Sequence, residues 1–266
     1  MYRIIKADMY RILRGKALYI TLAFFVLNIF VNAMLGGGVI GVQVSTQSEV
    51  ESEMLEEPAA DEVVTGSEMP FRVMRSAHEI FYFLLPLLVC LVSADLSNGC
   101  VKNTLSAGVS RSKLYFAKLI LHTLFCIAGL TLSVVLSIGF GTFYNGFGSG
   151  IDFTGILQIF FAQLLYLVAA GSVGIALAFS VKKTARLNAS YLAFFLLPQV
   201  AVMILVMTFP ALSNIVYMEL GQGIGLLVDI AEFDQALMTR VILIGITYIV
   251  GSIALGITIF KKSEVK

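Results

Sequence analysis

Six apolar stretches divide this chain, and the charges between them sort by sign. The stretches run Ala17–Leu35, His78–Ala94, Leu119–Phe143, Phe153–Val181, Leu187–Phe209 and Val241–Phe260. Each has at least the roughly 17 residues that a helix needs to cross a hydrocarbon core. Six crossings put both termini on one side, together with the second and fourth connections. That side holds five basic residues near the N-terminus (Arg3, Lys6, Arg11, Arg14, Lys16) and four in the second connection (Lys102, Arg111, Lys113, Lys118). Three more lie in the fourth connection (Lys182, Lys183, Arg186) and three at the C-terminus (Lys261, Lys262, Lys266). Fifteen of eighteen basic residues thus share a side with only three acids, Asp8, Asp95 and Glu264. The other side keeps Arg72, Arg75 and Arg240 against fourteen acids. By the positive-inside rule the basic side is cytoplasmic.

A composition of 58% hydrophobic and 13% charged residues excludes an ordinary soluble domain. In lipid the backbone must satisfy its own hydrogen bonds, so the stretches are helices. The alternation of a β-barrel is absent. The expected fold is an all-α membrane protein with six transmembrane helices, an N-terminal amphipathic interfacial helix, and short outer helices between spans five and six. Residues 1–266 form one transmembrane domain in this reading. The expected location is the bacterial plasma membrane, with a multi-pass topology and both termini cytoplasmic. The basic head and first apolar run fit a signal peptide loosely. Asn32-Ala33-Met34 is a poor cleavage site, so an uncleaved first helix is expected. Cys90, Cys100 and Cys126 lie in no outer loop and match no zinc spacing, and they read as buried, inert thiols.

Residues 1–16 place Met1, Tyr2, Ile5, Met9, Ile12 and Leu13 on one helical arc, with Arg3, Lys6, Arg11 and Arg14 opposite. Such a helix lies in the headgroup layer with its cations toward anionic lipid. Residues 36–77 are an acidic outer loop, and low hydrophobicity with like charge argues for a mobile segment. Tyr144–Asp152 is a Gly-rich turn. Residues 210–238 form an outer re-entrant segment, with short helices at Ile215–Leu220 and Ile224–Ile230 separated by Gly221, Gly223 and Gly225. Pro86 and Pro198 should kink spans two and five. Ser172, Gly174, Ala176 and Ala178 give span four a small-residue face for close packing.

Signs of an internal energy source or active site are scarce. Ion-coupled carriers keep ionisable groups at mid-membrane depth, and there this chain offers no Asp, Glu, Lys or Arg. His78-Glu79 lacks the second His of a metalloprotease helix, and Lys183-Thr184 lacks the Gly of a phosphate loop. Ser110 and His122 stand twelve residues apart on one helix, about 18 Å, too far for a catalytic dyad. No catalytic, cofactor-binding or metal residue is expected, and nothing points to a nucleic acid.

The segment 95–118 carries the most information. It reads as a short helix at Cys100–Ala107, stopped by Gly108 in a left-handed cap. Ser110 then caps the helix that carries Arg111, Lys113 and Lys118 into span three. This run resembles the ABC-2 family of ABC-transporter permeases, the kind found in bacterial peptide-export and bacteriocin-immunity systems. Members show an acid, Gly-Thr-Ile-Lys, Leu-Leu-Ser, a small and a hydrophobic residue, Ser-Arg, and a Lys at the next helix foot. Asp95, Gly99, Lys102, Leu105-Ser106, Val109-Ser110-Arg111 and Lys118 match, while Cys100 replaces the usual Thr and Asp95 the commoner Glu.

The resemblance implies a non-catalytic permease subunit of an ATP-driven exporter of amphipathic or peptide-like substrates, antimicrobial peptides among them. The implied partners are a cytoplasmic ABC ATPase dimer, which would hold ATP and Mg, and a second permease copy or sister permease, all within membrane lipid. Asp95, Gly99, Lys102, Ser110, Arg111 and Lys118 become candidate coupling residues, with Lys182, Lys183 and Arg186 from the fourth connection beside them. The alternatives are an ion-driven or passive carrier or channel, and a membrane assembly or sensor protein that moves nothing.

Overall fold

The computed structural model describes residues 1–35, 64–181, 183–209, 215–232 and 235–262, with no strand among them. Helix α1 (Tyr2–Arg14) turns at Gly15 into α2 (Lys16–Leu35). A short α3 (Met69–Arg75) precedes α4 (Glu79–Leu88), which passes through a π turn at Val89–Ser93 into α5 (Ala94–Ser97). Then come α6 (Cys100–Ser106), α7 (Arg111–Asn145), α8 (Phe153–Val181) and α9 (Thr184–Thr208). The chain ends with α10 (Leu220–Leu226), a 3₁₀ turn at Leu227–Glu232, and α11 (Gln235–Lys262). Six units are long and apolar enough to cross a membrane: α2, α4 with α5, α7, α8, α9 and α11. They are the six stretches of the sequence.

Pro86 has no N–H to complete the helical ladder, and the register of the second span slips to a π turn three residues later. The helix α9, by contrast, continues through Pro198. The central element is α8, whose small face lies against α11. There Ser172 and Ser252 hydroxyls stand 2.5 Å apart, and Gly256 sits against Ala176 and Tyr115. Small residues let these two backbones approach closely, as expected for helices that associate in lipid.

The two ends of the bundle differ. One end gathers α1, α5, α6, the first turn of α7, the start of α9 and the end of α11. The described basic residues outside Arg72, Arg75 and Arg240 cluster there. The opposite end is closed by α3 and α10. Gln163 of α8 is fully buried, and its side-chain amide donates to the carbonyls of Met74 at 2.7 Å and Ile224 at 3.0 Å. Tyr166 donates to the Tyr217 carbonyl at 2.7 Å, and Arg75 pairs with Asp229 at 3.0 Å.

Two expectations change at that end. Residues 36–63 lie outside the described residues, but the last part of the acidic connection is a buried helix and not solvated loop. Met69, Val73 and Met74 give α3 an apolar side that packs against the bundle. In the fifth connection, Gly221, Gly223 and Gly225 sit inside α10 instead of separating two helices. The carboxylate of Glu219 starts that helix by accepting from the Gly221 and Gln222 amides. Burial pushes the Glu219 carboxyl up from its ordinary value, and those two amides pull against the shift. The glycines permit contact: a Cβ at Gly225 would collide with the Arg75 carbonyl.

Gly225→Ala should therefore lift α10 off α3 and cost about 1–3 kcal/mol, as overpacking does. Gly139→Ala, where an added Cβ meets nothing within 4 Å, is the comparison and should be neutral or stabilising. Thermal unfolding of the purified chain in detergent checks both.

Candidate functional site

The short helix α6 hangs between two left-handed glycines at the basic end. Gly99 has φ 70° and Gly108 φ 85°, and an added Cβ at either would meet nothing within 4 Å. Glycine is needed here for its backbone angle, not for space. Ser110 caps α7 as the sequence indicated, its hydroxyl accepting from the Lys113 amide at 3.4 Å. Along α6 only Val101 is fully buried, at 2% exposure, and Leu105 is half-buried. Lys102, Asn103, Ser106 and Ala107 face outward. The result is a polar-faced hairpin, pinned by one valine.

Beneath it lies a buried ion cluster. The Lys118 ammonium is 1% exposed and donates to Asp8 Oδ2 at 2.6 Å and Asp95 Oδ2 at 2.5 Å. Arg11 donates to the other Asp95 oxygen, pairs with Asp8 at 3.3 Å and donates to the Cys90 carbonyl at 3.1 Å. Four helical units are joined by these groups: α1 through Asp8 and Arg11, α4 with its π turn through Cys90, α5 through Asp95, and α7 through Lys118. An isolated ammonium inside a protein is strongly disfavoured, and only paired, hydrogen-bonded partners make the arrangement tenable.

The described candidate coupling residues separate into three groups. Asp95 and Lys118 are buried within the cluster. Arg111 is occupied at the C-terminus of α11, donating to the Phe260 carbonyl at 2.6 Å and the Lys261 carbonyl at 2.8 Å. Those carbonyls are the orphan acceptors of a helix end, and a cation is favoured there. Gly99, Lys102, Ser110, Lys183 and Arg186 lie at the surface. The start of α9 is bound to the second span through the Ser93 and Thr184 hydroxyls, 2.8 Å apart. Lys182 falls outside the described residues.

Asp8 and Arg11 had no coupling role in the sequence reading. The available signal was the lone acid on a helix otherwise rich in cations. It also corrects the picture of α1: Asp8 and Ile12 are buried against the bundle, while Tyr2, Tyr10 and Leu13 remain exposed. The cysteines divide as well, Cys126 buried, Cys90 intermediate and Cys100 exposed, so the last is not the buried thiol expected. Among the described residues no group of three or more His, Cys, Asp or Glu is placed to hold a metal ion.

Lys118→Met leaves two buried carboxylates with one cation fewer and should destabilise the chain by about 3–5 kcal/mol. Adding Asp8→Asn to that variant should recover part of the loss. Denaturant unfolding of the three proteins measures it; equal stability of Lys118→Met and the parent would contradict the clamp. No protein-family model matches this chain, and no curated protein matches it either.

Proposed function

We propose that this chain is the membrane-spanning, non-catalytic subunit of an ATP-driven exporter, of the ABC-2 permease type. It works with a separate cytoplasmic ATPase that binds ATP and Mg, and with a second permease. Its basic end faces the cytoplasm of a bacterial cell, and α1 lies at the membrane surface. The observation that carries this reading is the α6 hairpin standing on a buried clamp. A partner that displaces α6 acts on a root already fixed to α1, the second span and the third span. That geometry suits transmission of force from outside the lipid, which a chain with few ionisable groups at mid-depth requires.

The outward movement of an amphipathic or peptide-like substrate rests on the motif at 95–118 and on the acidic outer connection. An ion-driven carrier is the competing reading. It draws on Glu79, a carboxylate 3% exposed in the second span that accepts from Asn32 at 2.9 Å.

Charge reversal at two exposed cations that make no ion pair with the described residues, Lys102→Glu with Arg186→Glu, tests the docking face. The variant should fold as the parent does and lose most of the ATPase that copurifies with it. Undiminished recovery would contradict docking at this face. Uptake by the lone chain in ATP-free liposomes would favour the carrier.

A further inference from the structure

Between α1, α6 and α7 lies a cavity of about 310 Å³. Its floor is the ion cluster, and its walls are Arg3, Ile4 and Ala7 of α1 facing Cys100, Val101 and Thr104 of α6. We infer that this cavity binds a net-anionic phosphate species, either the headgroup of an anionic phospholipid or free phosphate.

Charge is the first argument. The cavity is lined by Arg3, Arg11 and Lys118 against Asp8 and Asp95, an excess of one positive charge. Both acids are taken up by Lys118 and Arg11, whereas Arg3 makes no ion pair with any described residue. One phosphodiester neutralises the excess. An arginine presents a planar fork of donors that matches phosphate oxygens.

Size and setting are the second. The volume sits at the small end of the range of about 300–1,000 Å³ for small-molecule sites, which suits a headgroup and not a folded peptide. Ile4, Val101 and Leu114 add an apolar wall beside the charges, as an amphiphile requires. The cavity opens where an amphipathic basic helix meets the ends of apolar spans, the level at which lipid headgroups lie, and basic pockets between such helices bind anionic headgroups. A group seated there fills the gap between the α6 hairpin and α1. This inference does not depend on transport or on an ATPase.

Cys100 lines the cavity and is exposed, so its alkylation by N-ethylmaleimide reports occupancy, read on the Cys100 peptide by mass spectrometry. The full chain is compared in nanodiscs of dioleoylphosphatidylglycerol and of dioleoylphosphatidylcholine, the latter with and without inorganic phosphate. Saturation near ten times Kd should slow labelling about tenfold. Arg3→Gln should abolish the protection. Lys6→Gln removes the same charge one turn away, outside the cavity, and should keep it. Protection by phosphatidylglycerol names the lipid as the source, and protection by inorganic phosphate names the free ion. Equal labelling under every condition, or equal loss of protection in both variants, would overturn the site. Both variants change exposed side chains, and their unfolding midpoints in detergent confirm the fold.

Discussion

A lysine ammonium withdrawn from water and held between two carboxylates governs the basic end of this molecule. Taking one such ion out of water costs several kcal/mol after relaxation. Lys118 is tolerated only because Asp8 and Asp95 both accept from it, and Arg11 then balances the second carboxylate. The consequence is mechanical. None of α1, α5 and α7 can move off the others without stranding a buried charge, so the foot of the bundle behaves as one block. Weak apolar contacts between lipid-facing helices would not impose this, since lipid competes for them on equal terms.

The opposite end is fastened by different chemistry. One neutral amide, Gln163, donates to carbonyls of both α3 and α10, and Gly225 lets those backbones approach. A neutral hydrogen bond contributes about 0.5–1.5 kcal/mol net, far less than breaking a buried ion pair. Lys118 lies on α7 and Gln163 on α8, the two longest helices among the described residues.

The spans were legible because their signal is crude: about twenty apolar residues bounded by charge need no partner to be recognised. Gly108 and Ser110 were legible because cap chemistry is local, set by neighbours within four residues. The ion cluster was only half legible. Asp95 and Lys118 stood out by position in a motif, but whether they face a partner or each other depends on where α1 docks, more than 80 residues away in sequence. Arg111 was legible only as a motif position, since its acceptors belong to the end of α11. The helix α3 was hidden by averaging: the acids of residues 36–68 dominate the composition around a short apolar run. The glycines of α10 read as breaks because the contacts of Gly223 and Gly225 include residues distant in sequence, Tyr166 and Arg75.

The two glycines flanking α6 pose a question for any force applied to that hairpin. Left-handed glycine turns are flexible joints, and a helix suspended from two of them would swing before it pushed. What resists the swing is Val101, seated at 2% exposure, and half-buried Leu105 beside it. The cavity lies between α6 and α1, with Val101 itself in its wall. A displacement of α6 toward α1 thus has empty volume to enter. Stiffness against that movement requires an occupant of the cavity that bears on Cys100 and Thr104 of α6 and on Arg3 of α1. The proposed phosphate group meets that requirement, and its occupancy would make α6 and α1 move together.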